Sequence, residues 1–289
     1  HNRVVNLSNP IVDTRLADGS RVNIVLAPVS LDGSTITIRK FPEKPLDMQT
    51  LIQKGALPED AAEFLKMLVR AKYNLLISGG TSSGKTTFLN ALSQYIPEDE
   101  RVITIEDSAE LQIQGIKNLV RLETRNANME GVQPVTIRDL IRTALRMRPD
   151  RILVGECRGA EALDVLQAMN TGHDGSLSTG HANSCKDMLS RLETMVLMGM
   201  ELPLPAIRSQ IASGIDFLIH LGRMRDKSRK VLSITEIAGY EENQIILNDI
   251  YRFKEETAEE NTVHGAMEKV GELIHTEKMI RAGYCLDGL

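Results

Sequence analysis

The stretch Gly79-Gly80-Thr81-Ser82-Ser83-Gly84-Lys85-Thr86, continued by Thr87, fits the spacing G-x-x-x-x-G-K-[ST] without a mismatch. The chemistry of such a loop is phosphate capture. Glycines let backbone N–H groups converge on phosphate oxygens where a side chain would block the approach. Lys85 adds a point charge for the β- and γ-phosphates, and the Thr86 hydroxyl is placed to ligate Mg²⁺. The apolar run Leu75-Leu76-Ile77 precedes the loop and a helical pattern follows it. Phosphates would therefore sit at a helix N-terminus, whose partial positive charge favours them.

Acidic residues follow on two further apolar runs. Val102 to Ile105 ends in Glu106-Asp107-Ser108-Ala109-Glu110, and Ile152-Leu153-Val154 ends in Gly155-Glu156. In an open α/β sheet, the carboxyl ends of strands are where ligands bind. Carboxylates there can orient a water for attack on a γ-phosphate and hold the hydration shell of Mg²⁺. Glu156 takes the place that Asp holds in many phosphate-loop NTPases. His173 and His181 bracket one more possible strand. Their spacing is not that of a zinc helix and no cysteine cluster accompanies them, so contact with phosphate-side groups is the better expectation. Arg138, Arg142 and Arg146 recur every four residues as a basic stripe, read as a subunit interface or solvated face. Met188, Leu192, Met195, Val196 and Met198 form an apolar patch, read as core.

The elements that must position these groups can be traced from periodicity. Arg21–Leu26 and Ser34–Arg39 read as strands joined by an Asp32-Gly33 turn. Pro42 and Pro45 interrupt the pattern, and residues 42–57 read as a linker. The expected domains are thus a β-rich remnant at 1–41 and a domain carrying the phosphate loop at 58–289. Within the latter, helices are expected at Pro58–Lys72, Gly84–Tyr95 and Thr136–Met147. Apolar strands alternate with them, which predicts a doubly wound parallel α/β core. Lys230–Ile237 and Gln244–Ile250 return to strand character, and the acidic stretch Lys254–Glu260 reads as a solvated loop or helix end.

Composition narrows the function classes. The 289 residues carry 34 basic and 39 acidic side chains, a net charge of −5, with 3% aromatics and no Trp. Nucleic-acid coating is disfavoured by both the charge and the lack of stacking surfaces. Three dispersed cysteines give no disulfide framework or structural zinc, and no run approaches the apolar length of a membrane span. The absence of an N/T-K-x-D motif speaks against a GTPase switch. His1 in place of Met leads us to expect a trimmed chain lacking an upstream segment.

Taken together, the motifs resemble the secretion-superfamily traffic ATPases, which power type II secretion, type IV pili and type IV secretion. Within that group the wording is similar to the Tad/Flp (tight-adherence) pilus assembly ATPases of the CpaF/TadA type. The resemblance runs from about Val12 to Ile250. It is carried by Asp18-Gly19-Ser20-Arg21-Val22-Asn23, the phosphate loop, Ile105-Glu106-Asp107, Arg146-Met147-Arg148-Pro149-Asp150-Arg151, Gly155-Glu156-Cys157-Arg158-Gly159, Thr171-Gly172-His173-Asp174-Gly175 and His181-Ala182-Asn183-Ser184. It implies a RecA-like core with a small, partly truncated α+β (PAS-like) N-terminal domain. It also implies ATP and Mg²⁺ as ligands, Glu110 as general base within an Asp box that includes Glu106 and Asp107, and Glu156 as the Walker B acid. His173 and His181 would form a His box, and Arg21 and Arg39 would close onto nucleotide. The implied protein is a homo-hexamer, cytoplasmic and peripheral to the inner membrane. It would dock on pilus platform proteins without inserting into the membrane, or, as the alternative, serve type IV secretion of protein or DNA. Gly180 stands where that group more often carries a β-branched residue, which predicts a looser strand there.

Overall fold

A computed structural model describes residues 4–125, 133–258 and 262–285. The chain divides into two compact units, His1–Pro45 and Leu46–Leu289. The first holds strands β1 (Ile11–Arg15), β2 (Arg21–Val25) and β3 (Thr35–Arg39), paired antiparallel in that order. Strand β1 was not anticipated from the sequence, and no helix occurs among this unit's described residues. Arg15 pairs with Arg21 in register, and Arg21 with Arg39. Directly opposed residues share one face of a sheet, so the three arginines form a single cross-strand row.

The second unit begins with α1 (Met48–Gln53), inside the stretch expected to be a linker. Asp47 caps it by accepting from the Thr50 amide, and Met48 and Leu51 are buried in the main core. Residues 46–57 are therefore packed structure. Two core side chains on a short capped helix give too little periodicity to announce it. Next come α2 (Glu59–Arg70), β4 (Leu75–Gly79), α3 (Lys85–Ser93), β5 (Arg101–Glu106), β6 (Asn118–Glu123), α4 (Ile137–Ala144), β7 (Arg151–Cys157) and α5 (Ala162–Asn170). They are followed by β8 (Leu177–His181), α6 (Cys185–Gly199), α7 (Leu204–Gly214), β9 (Phe217–Arg223), β10 (Arg229–Glu241), β11 (Gln244–Ala258), β12 (Val263–Lys269) and α8 (Glu277–Arg281).

The nine strands order as β12-β11-β10-β9-β4-β8-β7-β5-β6. From β9 to β6 every neighbouring pair is parallel, while β9 to β12 pair antiparallel. Alternation along the buried strands feeds two cores. Leu75, Ile77, Leu153 and Phe217 face the core under α2 and α3, whereas Leu76, Ile152, Val154 and Leu218 face the one under α4 to α7. Side chains point to opposite faces with period two, so a strand flanked by helices on both sides is apolar throughout. The outcome is the expected α/β class.

The structure refines several local expectations. Residues 254–258 continue β11 and pair with β12, so the acidic stretch is strand up to Ala258; Glu259 and Glu260 lie outside the described residues. Of the basic stripe, Arg138 and Arg142 contact Asp164 on α5 at 2.7 Å and 3.1 Å, and Arg142 and Arg146 stay exposed as on a solvated face. Of the methionine patch, Met188 and Met195 are core, but Met198 is 67% exposed. Beside β8, a Cβ on Gly180 would lie 2.7 Å from Met188 Cε. The glycine thus admits the methionine; its pairing with β4 is regular, while the register with β7 shifts between Val154 and Cys157, the partner of Gly180.

Candidate functional site

The register of the parallel strands decides which motifs meet. Gly79 at the end of β4 pairs with His181 at the end of β8, and Gly180 pairs with Cys157 beside Glu156 on β7. Ile105 pairs with Val154, which brings Glu106 to the same edge. Four carboxyl ends therefore lie side by side, as the crevice rule for open α/β sheets requires. Because β8 is inserted between β4 and β7, a residue at its tip stands between the phosphate loop and Glu156. That residue is His181.

The loop itself is built for an anion. Gly84 adopts φ +97° at the N-cap of α3, and no side chain caps the helix. Its first-turn N–H groups face the loop, where a left-handed residue with a Cβ would be strained. Gly79 is fixed by close approach, since a Cβ there would come 2.6 Å from Leu221 O. Arg229 Nε donates to Ser82 O at 2.9 Å and ties the loop's tip to β10. Lys85, only 8% exposed, donates to Gly79 O and Gly80 O at 3.0 Å each. Burial lowers its ammonium pKa, opposed by the Glu156 charge.

Lys85 Nζ also lies 3.3 Å from His181 Nδ1, and His181 Nε2 lies 2.6 Å from Glu156 Oε1. Burial and the neighbouring Lys85 push the His181 pKa below its usual value. Glu156 Oε2 accepts from Arg158 Nε at 2.7 Å. Arg158 stands close enough to Asp107 and Glu110 for both to raise its pKa, after the larger effect of its bond to Glu156. It is one cation among three acids. The sequence motif contained Arg158, but no spacing rule assigned it a role.

The other expected residues are distributed differently. Glu106 turns inward, 4% exposed, and accepts from the amides of Glu110 and Leu111 at 2.7 Å and 2.9 Å. Asp107 is exposed and accepts from Thr124 Oγ1 at 2.7 Å. Thr86 and Thr87 are half-buried on the first turn of α3, while Thr81 and Ser82 are exposed and Ser83 is buried. His173 is a correction. It precedes Leu177, which pairs with Leu75 at the start of β4, so it lies at the opposite edge of the sheet from His181. His173 lies in the turn before β8, and the five residues Leu177–His181 then carry the chain to the other ends of the strands. Arg21 and Arg39 lie on the first unit, in the arginine row.

A residue missed by sequence reading is His220 on β9. Its Nδ1 lies 2.9 Å from Ser78 Oγ, one residue before Gly79, and it bonds the Asn183 backbone past the tip of β8. Burial lowers its pKa. A lone histidine in an apolar strand carries no motif, and only the β4–β9 pairing reveals it.

These residues fit ATP and magnesium. Uncapped amides and Lys85 make a phosphate cradle, and beside it lies a cavity of about 250 Å³ whose lining joins apolar side chains such as Phe88 and Leu221 to the basic side chains Lys54, Lys227, Arg229 and Lys230. No cluster of three or more acidic, histidine or cysteine ligands able to hold a metal occurs among the described residues. Thr86, on the first turn of the helix that follows the loop, and Glu156 are the oxygen donors present for Mg²⁺, an ion usually held by phosphates, waters and one or two side chains.

The chain is similar to proteins of secretion systems. The family model described as type II/IV secretion system protein matches residues 2–281. A Mycobacterium tuberculosis protein described provisionally as a conjugal transfer protein is 41% identical over 214 residues, 74% of this chain and 60% of that protein. The chain thus spans about 60% of the length of that relative. The type IV secretion system protein PtlH of Bordetella pertussis is 36% identical over 251 residues, covering 78% of this chain and 74% of PtlH. Among solved structures, the VirB11 ATPase of Brucella suis, crystallised with sulphate, superposes with a TM-score of 0.56 at 31% identity, covering 82% of this chain and 79% of that one. With the match running through nearly the whole sequence and through both the phosphate loop and the acids that face it, the chain belongs to the type II/IV secretion system protein family.

Proposed function

We propose that the protein hydrolyses ATP as one subunit of a homo-hexameric motor at the cytoplasmic face of the inner membrane. The observation that supports this most directly is the line Lys85–His181–Glu156–Arg158 along one sheet edge, with Glu110 beside its far end. The phosphate loop holds the β- and γ-phosphates through its amides and Lys85, and the cavity beside Thr87 takes the base against its apolar residues, Phe88, Leu221 and Val231. Glu110 accepts the proton of the attacking water. Thr86 would hold Mg²⁺ directly and Glu156 through a water; when bound, the ion neutralises phosphate charge. Arg158 keeps the acids from repelling one another as charge develops. His181, neutral, couples the phosphate side to Glu156.

The work performed is assembly of a Tad or type IV-like pilus, a reading that rests on the sequence motifs around Asn170–Gly175. A second reading, export through a type IV secretion apparatus, is favoured by the names of the relatives PtlH and VirB11. Among the described residues no helix is long and apolar enough to cross a membrane. Docking on inner-membrane platform proteins is part of the proposal. The deciding experiment measures ATP turnover of the purified hexamer alone, with pilus platform proteins, and with DNA. Stimulation by platform proteins supports the pilus motor, and stimulation by DNA supports the secretion reading. No turnover in any assembly state would refute both.

A further inference from the structure

The segment that carries Glu110 is irregular, yet its backbone is held from three directions. Glu106 Oε1 accepts from both Glu110 N and Leu111 N. Arg121 Nη2 on β6 donates to Leu111 O at 3.0 Å. Asn90, 6% exposed on the phosphate-loop helix α3, accepts from Gln112 N at 2.9 Å through Oδ1. A buried side-chain acceptor that takes up loop amides defines a backbone path, because leaving those donors unpaired costs roughly 1–3 kcal/mol each. Space is reserved for the arrangement as well. A Cβ on Gly155 would stand 2.9 Å from Glu106 Cγ, so the residue before Glu156 must be bare for Glu106 to lie where it does.

Glu106 is poorly placed for metal or water chemistry. One oxygen is filled by the two amides, and Oε2 is buried with no hydrogen-bond partner among the described residues. We infer that Glu106 and Asn90 are positioning residues: together they lock the backbone of residues 110–112 to the phosphate-loop helix and so set where the Glu110 carboxylate stands relative to bound phosphate. The inference rests on the reading of Glu110 as the water-activating base. It assigns Glu106 to the backbone of its own box and brings in Asn90, which no motif singled out. It also gives a route by which a shift of α3 on nucleotide binding would be felt at Glu110, with Asn90 as the shared contact.

The test uses the full chain and two readouts, steady-state ATP turnover and hydrogen exchange of the peptide spanning 107–113. Glu106→Ala should lower kcat by about 10²-fold, the scale of a misplaced catalytic group, with ATP affinity changed by no more than about threefold. Glu106→Gln keeps an oxygen that accepts both amides and should recover turnover to within about tenfold of the parent. Asn90→Leu should speed exchange in the same peptide and lower kcat in the same direction. Added to Glu110→Gln, Glu106→Ala should reduce turnover by no more than about twofold, since the group it positions is already disabled. The inference is overturned if Glu106→Gln is as slow as Glu106→Ala, or if the two defects multiply in full. Exchange at 107–113 that is unchanged in both Glu106→Ala and Asn90→Leu, the second of which preserves bulk, also overturns it. Should Glu110→Gln hydrolyse like the parent, the base assignment fails, and the exchange readout alone still decides whether the lock exists.

Discussion

Lys85 Nζ and His181 Nδ1 lie 3.3 Å apart, and that contact fixes the histidine's proton. An ammonium can only donate, so Nδ1 must be bare and the proton belongs on Nε2, 2.6 Å from the Glu156 carboxylate. Lys85, Glu156, Arg158 and Arg191 are the charges that bear on it, and burial with Lys85 lowers its pKa. Protonation would place a second cation beside Lys85. Turnover should therefore be flat above pH 6.5 and fall only below it, while His181→Gln should lack that acid limb. A limb centred above the ordinary histidine value would contradict the assignment.

Removing the buried ammonium should silence the site without unfolding the chain. For Lys85→Ala we expect a loss of about 10²–10³-fold or more in kcat, the range for deleting a preorganised charge aimed at developing phosphate charge. Circular dichroism should be unchanged, because among the described residues Lys85 bonds two loop carbonyls and His181. Normal hydrolysis would remove the phosphate-loop reading.

The two glutamates should fail differently. Glu110→Gln should bind ATP well and turn it over about 10²–10⁴-fold more slowly, the usual worth of a general base. Glu156→Gln should also be slow, but with an altered Mg²⁺ dependence, and it should shift the pH profile because Glu156 faces His181. Identical metal titrations for both variants would show that Glu156 has no part in the Mg²⁺ shell.

At the other edge of the sheet, Arg151 is fully buried and pairs with Glu100 while donating to Val69 O at 2.6 Å and Gly175 O at 3.4 Å. Breaking a buried pair strands its partner, so Arg151→Leu should cost about 3–5 kcal/mol of stability. Urea unfolding of single and Glu100→Gln double variants measures it. A double variant as unstable as the sum of the singles would mean that the pair is not coupled.

His220 gives a stability signature. Its pKa is lowered in the folded protein by burial, so below the ordinary value of 6.5 the unfolded chain binds the extra proton more readily. Stability should rise with pH through the window that ends near 6.5, and this contribution should level off above it. In His220→Gln the rise between pH 5 and pH 7.5 should shrink. An unchanged rise would place the titrating group elsewhere.

Much of the site could be read without coordinates because its information is local. The phosphate loop needs a strand, glycines and a helix in immediate succession, and all three are contiguous around Lys85. The strand ends at Glu106 and Glu156, and the helical periods of α2 and α4, follow from apolar spacing alone. What lay beyond the sequence was lateral order. Nothing near His181 says that β8 lies between β4 and β7, or that His173 is left at the far edge. The inward turn of Glu106, the bond from Asn90 to Gln112 and the clamp of Arg138 and Arg142 on Asp164 likewise join segments distant in the chain. Periodicity reports which face of an element is buried, but pairing between parallel strands is settled by long crossovers and shared core packing. Neighbours across the sheet, and hence the meeting of Lys85, His181 and Glu156, are decided only when the whole chain has closed on its two cores.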